Sequence, residues 1–338
     1  MVTINEIARI AGVSRGTVDR VLNGREGVSQ KTAERVQTIA SSLNYMPNSA
    51  GRSLAAMKKD LKFAFVLLND KGPYSEVLSS AEHGKLEMSE YGIKVLVREC
   101  VSSDYQGQIT ILDELHDQNV CGIVISPINH PHVISKMAEL SAAGVTFVTY
   151  SDDVQGAGRI AYVGTDYKKA GKTAAGIIEL ISKKPKKVGI ISCDDYFISI
   201  HADRKSSFID KTILDNPDAK ILDIVIEKDD DILSYSATRK LLEENPDMDA
   251  LYLNGAGVRG ACQAVKESQL KIPIVCGAML DSIKDYLLDG TISAIIEQEP
   301  EKLGSLSLQI LFNYLVLGIK PESEFVYTGI SIRIAENI

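Results

Sequence analysis

Across residues 62–296 short apolar runs alternate with segments of helical periodicity, and no other feature of the chain restricts its fold as tightly. KFAFVLL (62–68), IKVLV (93–97), CGIVIS (121–126) and VTFVTY (145–150) form a first set. KVGIIS (187–192), ILDIVI (221–226), DALYLN (249–254), IPIVC (272–276) and ISAII (292–296) form a second. Runs this short read as buried strands, and a strand, helix, strand order at this spacing builds parallel sheets with helices on both faces. Two successive sets predict two such lobes. Ligands of open α/β sheets sit beyond the carboxyl ends of the strands, so the cleft between the lobes is where a ligand is expected.

Charge separates this body from what precedes it. The chain carries −8 overall, yet residues 1–60 hold nine Lys/Arg against five acids, which is +4 and leaves −12 on the remaining 278 residues. A basic head on an acidic body fits a nucleic-acid-binding domain joined to a different one. The five cysteines (Cys100, Cys121, Cys193, Cys262, Cys276) lie far apart without a C-x-x-C pair. That argues against a disulfide framework or a zinc cluster and fits a reducing cytoplasm. Glu6 and Arg9 interrupt the opening MVTINEIARI where an export signal needs an unbroken apolar run. The longest uncharged stretch, between Lys302 and Lys320, is broken by Ser305, Ser307, Gln309 and Asn313, which describes an amphipathic helix and no membrane span.

The head is dense in helix-boundary chemistry. Thr3 and Glu6 have capping-box spacing, and Ile4, Ile7, Ala8 and Ala11 then share one helical face. Gly12 supplies the positive φ that ends this helix, Val13 plugs the corner, and Ser14 caps a second helix with Thr17/Val18, Val21 and Leu22 inside. Ser29 caps a third whose buried stripe is Ala33, Val36, Ala40 and Leu43. Three short helices in under 50 residues make a helix-turn-helix, and the outer face of its second helix is left with Arg15, Gly16, Asp19 and Arg20.

VTINEIARIAGVSRGTVDRVLNG, followed by VSQKTAERVQTIASSLNYMPNSAGRSLA, closely resembles the DNA-binding head and hinge of the lactose-repressor (LacI) family of bacterial transcription regulators. The resemblance implies that Ser14, Thr17 and Asn23 hold phosphates, with Thr3 at the head of the first helix, and that Arg15, Gly16 and Arg20 occupy the base-reading positions. It further implies a hinge helix from Asn48 to Ala55, whose Leu54 wedges into the minor groove at the operator centre. Two residues depart from the family pattern. Gly16 removes a base-reading side chain, leaving the major groove to Arg15 and Arg20. Asp19 replaces a small hydroxyl residue, and either pairs with Arg15 one turn earlier or accepts a hydrogen bond from cytosine N4.

Two stretches mimic nucleotide sites. GTDYKKAGKT (164–173) contains GKT, but six residues separate its glycines where a P-loop has four. NGAGVRG (254–260) presents Gly255-x-Gly257-x-x-Gly260 after a strand, with Asp281 about 20 residues on, as a dinucleotide site would. An NAD-dependent oxidoreductase using residues 255–260 is therefore the alternative function. It is a lone match, late in the chain and behind a DNA-binding head.

The body, too, looks like the periplasmic sugar-binding-protein fold that the LacI family uses as its sensor, with AYVGTDYKKAG and AIIEQEP as landmarks. By that resemblance Tyr74 stacks on a sugar face, Asp152 or Asp153 accepts hydroxyls, Arg204 donates, and Asn254 and Gln298 complete the set; this is sensible sugar chemistry. Met279 stands where sugar-binding relatives place an aspartate, and its thioether offers packing without a strong acceptor, so the expected effector is a less hydroxylated carbohydrate or another polyol.

The whole reads as an all-α helix-turn-helix head (1–47), a hinge helix and linker (48–60), and a two-lobed α/β effector-binding domain of periplasmic-binding-protein type (61–338). The expected first lobe takes about 61–163 and 298–324, the second about 164–297 and 325–338. The expected protein is a cytoplasmic homodimeric repressor that binds pseudo-palindromic operator DNA under control of a small effector, with no cofactor, metal, catalysis or membrane partner.

Overall fold

The computed structural model describes residues 4–22, 27–43, 60–69, 74–193, 200–226, 230–255, 257–277 and 280–338, and of residues 41, 42, 193, 200, 201 and 280–282 it describes the backbone alone. Thr3, Asn23, Asn48, Leu54, the rest of the expected hinge helix, and Met279 lie outside the described residues.

The head is the three-helix unit its caps predict: Ile4–Ala11 (α1), Arg15–Leu22 (α2) and Gln30–Ser42 (α3). Gly12 turns the chain with φ 62°. The Ser14 hydroxyl accepts the Thr17 amide at 3.1 Å, and Ser29 does the same for Thr32 at 3.3 Å, satisfying helix-end donors that would otherwise lack a partner. Ile7, Ala8, Ala11, Val18, Val21, Val36 and Ala40 form its own buried core, with Ile4, Val13, Leu22, Ala33 and Leu43 packed against it.

The body starts with Lys62–Leu68 (β1), followed by Tyr74–Glu90 (α4), Lys94–Cys100 (β2), Tyr105–Asp117 (α5), Gly122–Ile125 (β3), Pro131–Ala142 (α6), Thr146–Tyr150 (β4) and Ala161–Thr165 (β5). The second lobe then runs Tyr167–Ser182 (α7), Lys187–Cys193 (β6), Ile200–Asp215 (α8), Lys220–Ile226 (β7), Asp231–Glu244 (α9), Ala250–Leu253 (β8), Val258–Ser268 (α10), Ile274–Cys276 (β9), Leu280–Leu288 (α11) and Ala294–Gln298 (β10). Leu303–Leu315 (α12) and Phe325–Thr328 (β11) return to the first lobe, and Ile330–Arg333 (β12) to the second.

Each lobe holds a six-stranded sheet, ordered β11-β5-β4-β3-β1-β2 and β12-β10-β9-β8-β6-β7. Every pairing is parallel except β10 with β12. Parallel strands are covered on both faces, and β1 shows it: Phe63, Phe65 and Leu67 enter one core, while Ala64, Val66 and Leu68 enter the other. In the second lobe Leu251 and Leu253 of β8 face one core, Ala250 and Tyr252 the opposite one.

The chain passes between lobes at Asp166, between Gln298 and Leu303, and at Gly329. The last passage differs from expectation. Residues 325–328 were assigned above to the second lobe, but Phe325–Thr328 pairs with Tyr162–Thr165 of β5 and extends the first sheet. The segment is half-exposed on an edge, so its side chains lack the continuous apolar run that marks an interior strand.

Candidate functional site

The carboxyl ends of the strands gather the polar residues singled out in the sequence. Asp152 follows β4 in a tight turn where Ser151 adopts φ 58°, and it is buried although charged. The Ser126 hydroxyl, at the end of β3, donates to it at 3.3 Å. Ser126 is itself held in place by Gln108, fully buried on α5, which donates to the Ser126 carbonyl at 3.0 Å and accepts the Ile128 amide at 2.9 Å. Tyr74 opens α4, and its hydroxyl bonds the Glu99 carboxylate at the end of β2, which raises the tyrosine pKa. Gln108 and Glu99 were not anticipated, because neither belongs to a motif. Only the parallel order of the sheet brings them to this edge.

Asp153 behaves differently from its neighbour. Arg159 holds it through two nitrogens at 2.5 and 2.6 Å, and Thr149 donates to it at 2.7 Å. Its oxygens are committed to this pair.

The second lobe contributes the more concentrated charge. Arg204, in the first turns of α8, is only 3% exposed. Its Nε donates to the Asn254 side-chain oxygen at 2.7 Å, one terminal nitrogen to the Asn254 carbonyl at 3.1 Å, and the other to the Gly277 carbonyl at 3.4 Å. Asn254 ends β8 and Gly277 ends β9, so two strand termini and one helix fix the guanidinium. A Cβ at Gly277 would lie 2.6 Å from the guanidinium nitrogen, which explains a glycine at that spot. Tyr252, stacked on Phe208 at 4.1 Å, also reaches the Asn254 oxygen at 3.3 Å, and burial pushes its hydroxyl up to about 12.

Tyr167, the first residue of α7, joins the two halves. Burial is the main cause of its raised pKa, Asp152 of the first lobe adds to it, and Arg204 of the second opposes it. Its hydroxyl donates to the Gln298 side chain at 3.4 Å. The structure thus places Asp152, Asn254 and Gln298 at or just beyond the carboxyl ends of β4, β8 and β10, with Arg204 of α8 bonded to Asn254 and Tyr74 at the start of the helix that follows β1.

On the head, Arg15, Gly16 and Arg20 are exposed on α2, while Thr17 and Asp19 are half-buried. The Ser14 and Thr17 hydroxyls lie 2.9 Å apart at the start of the helix. A Cβ on Gly16 would meet only the Ser14 hydroxyl, at 3.7 Å, so no packing demand accounts for this glycine.

Two of the three glycines of the dinucleotide-like motif, Gly257 and Gly260, serve packing instead. Gly257 takes φ 48°, and a Cβ there would lie 2.3 Å from the Asp230 carbonyl. At Gly260 it would lie 1.8 Å from the Asp231 carbonyl, and the Gly260 amide donates to the Asp231 side chain at 3.1 Å. The start of α9 therefore occupies the place of a pyrophosphate, and the oxidoreductase alternative finds no support. In GTDYKKAGKT, Asp166 caps α7 by accepting the Lys169 amide, and Gly171 lets α7 approach α8 closely. Among the described residues no cluster of three metal-ligating side chains occurs, and no described helix is long and apolar enough to cross a membrane.

A helix-turn-helix head on a two-lobed α/β body with a polar cleft defines a helix-turn-helix protein with a periplasmic-binding-protein-type body. Residues 65–319 match the periplasmic binding protein domain, and residues 3–48 match the lacI family of bacterial regulatory proteins. The chain belongs to the periplasmic binding protein domain family, and its head carries a lacI-family domain. Catabolite control protein A of Streptococcus mutans is 31% identical over 192 residues, 56% of this chain and 54% of that protein. The HTH-type transcriptional regulator CelR of Thermobifida fusca is 26% identical over 270 residues, 74% of this chain and 72% of that protein. The chain spans about half the length of the Streptococcus mutans protein in this match. Two solved structures share the fold of the body: GanP, a glucose-galactose binding protein (TM-score 0.72, 21% identity), and AraP, an arabinose binding protein (TM-score 0.69, 23% identity), both from Geobacillus stearothermophilus. Each similarity covers 82% of this chain and 98% of the other.

Proposed function

We propose that the protein is a cytoplasmic, homodimeric transcription repressor without catalytic activity, whose affinity for a pseudo-palindromic operator is set by a carbohydrate or polyol bound between the lobes. The observation that carries this reading is the buried Arg204–Asn254–Gly277 cluster, which together with Asp152 of the first lobe acts on the Tyr167 hydroxyl, on a chain whose head exposes Arg15 and Arg20. Sugar hydroxyls act as both donors and acceptors, so a site pairing a fixed guanidinium with a carboxylate and two amides suits them. Tyr74 supplies a ring face and Met279 packing, and relatives of the fold named for glucose, galactose and arabinose set the size of ligand to try first.

On DNA, Arg15 and Arg20 read bases beside Gly16 and Asp19, while Thr3, Ser14, Thr17 and Asn23 hold phosphates. Asn48 and Leu54 belong to the hinge that enters the minor groove. Effector binding changes the closure of the lobes, and with it the spacing of paired hinges, so the two sites are coupled through one two-state element.

Selection of preferred duplexes from random DNA, with and without a panel of pentoses, hexoses and polyols, tests the proposal. A selected inverted repeat whose retention changes with one of these compounds is the expected result; no sequence preference in any condition would sink it. A thermal-shift scan of the same panel, with NAD as a further arm, is expected to respond to a sugar or polyol and not to NAD, since native-state binding raises the melting temperature.

A further inference from the structure

Beside the crossing segments lies a cavity of about 530 Å3 that the cleft residues do not form. Tyr74, Asp152, Arg204, Asn254 and Gln298 are absent from its lining, and it shares with the cleft only Tyr167 and the ion-paired Asp153. Its volume falls within the roughly 300–1,000 Å3 typical of small-molecule sites.

The lining combines two kinds of group. Phe325 and Tyr327 of β11 stack at 5.9 Å with 17° between their planes, and Tyr162 meets them edge-on at 6.2 and 6.3 Å. Around these rings stand three carboxylates: Asp153 after β4, Asp166 at the first crossing and Asp203 in the first turn of α8. Among the described residues Asp153 is matched by Arg159, and no ion pair involves Asp166 or Asp203. With Lys168 in the lining and Arg159 behind Asp153, the three carboxylates outnumber the cations of the lining and its ion pair among the described residues. The Tyr327 hydroxyl registers the imbalance: burial raises its pKa first, Asp166, Asp153 and Asp203 raise it further, and Arg159 opposes them.

The geometry points to a second binding site here, for a small organic cation of the alkylammonium or guanidinium class, seated against Tyr327 and Tyr162 and held by Asp166 and Asp203. Tyrosine faces attract cations through the ring quadrupole, and carboxylates accept their N–H groups or balance their charge. An anion is repelled by the same wall. Because Asp203 belongs to the second lobe and Tyr327 to the first, a bound cation bridges the lobes. Tyr167 is shared, since it lines this cavity and its hydroxyl bonds Gln298, so occupancy here changes affinity in the cleft and the reverse.

The test is calorimetric titration of the full chain at constant ionic strength with choline, putrescine and agmatine, and with gluconate as an anionic control. Saturable binding of at least one cation and none of gluconate is expected. Tyr327→Ala, at a half-exposed ring, and Asp203→Asn, at an exposed helix start, should each weaken binding by about fivefold or more and together abolish it, leaving the sugar response of the cleft in place. Absence of binding by all three cations, or undiminished binding in the double variant, overturns the assignment.

Discussion

Arg204 and Asn254, 50 residues apart in sequence, form a two-point contact in which the guanidinium donates to both the side-chain oxygen and the carbonyl of the asparagine, at 2.7 and 3.1 Å. Asn254 is completely buried. Neither residue is therefore a simple surface contact for a ligand: each holds the other in the geometry that a ligand would meet.

Arg204→Ala consequently affects more than ligand binding. It leaves the Asn254 oxygens buried without this donor, which costs about 1–3 kcal/mol. The expected outcome is a lower denaturation midpoint together with loss of the sugar-induced thermal shift. Gln298→Ala, at a half-buried residue, should lose the sugar response with little change in stability. Equal stability of both variants would show that Arg204 is not a structural member of the cluster.

Gly277→Ala isolates the position of the guanidinium from its presence. The new methyl would sit 2.6 Å from the Arg204 nitrogen, so the arginine must shift while the backbone remains. Ligand affinity should fall at least tenfold with the fold retained, as read by calorimetry beside circular dichroism.

The glycines of the head and of the second lobe should respond in opposite directions. Gly16→Ala makes only an ordinary contact with the Ser14 hydroxyl, at 3.7 Å, and gains up to about 1 kcal/mol of helix propensity, while altering base preference beside Arg15 and Arg20. Gly260→Ala drives a methyl to 1.8 Å from the Asp231 carbonyl and should cost several kcal/mol, about 3 or more, by parting α9 from α10. Urea denaturation of the two variants compares them directly.

Arg20→Ala tests the reading helix. A bidentate contact to guanine is worth about 1–3 kcal/mol, so each half-site should lose that amount and tolerate other bases at one position. Lys31→Ala, if Lys31 touches phosphate, should weaken all sequences alike. Competition binding against a set of single-base operator variants distinguishes the two patterns.

Glu299 makes the crossing region sensitive to acid. Lys302 is the main reason its pKa lies below the ordinary 4.5, with the Gly329 amide adding to the effect and burial opposing it. A carboxylate with a depressed folded pKa stabilises the fold above its unfolded value, and that contribution disappears as pH falls through the lower folded value. Melting temperature should therefore decline below pH 4.5 more steeply in the natural protein than in Glu299→Gln. Parallel declines would mean that other carboxylates dominate.

The head is legible in the sequence because the starts of its second and third helices are marked by serine hydroxyls that close a local hydrogen bond, and the end of the first by Gly12 with its positive φ. Seven of the nine strands marked by apolar runs are interior, where burial on both faces leaves such a run unbroken; the other two, β2 and β7, lie at sheet margins and are only partly buried, yet still carry enough apolar residues to be read. Ala161–Thr165 was quoted only as a family landmark, being five residues with Gly164 inside, and the edge strands Phe325–Thr328 and Ile330–Arg333 escaped for want of that run. In the cleft, Arg204 and Asn254 followed from resemblance, but the commitment of Asp153 to Arg159 did not. Ion pairing between neighbours six residues apart depends on how the loop folds back, which no spacing rule encodes.

One residue, Gly329, separates Thr328 in the first sheet from Ile330 in the second. Adjacent Cα atoms are about 3.8 Å apart, so two strands joined this way remain within about 7.6 Å of each other whatever the lobes do. Sliding and wholesale separation are thereby forbidden. What remains is turning about a pivot near Gly329, with the Glu299 carboxylate clasping its amide at 2.6 Å. The strand orders place β11 and β12 at one margin of the two sheets and β2 and β7 at the other, so the margin farthest from the pivot sweeps the widest arc. Any change of angle between the lobes is therefore largest along the β2 and β7 side of the molecule.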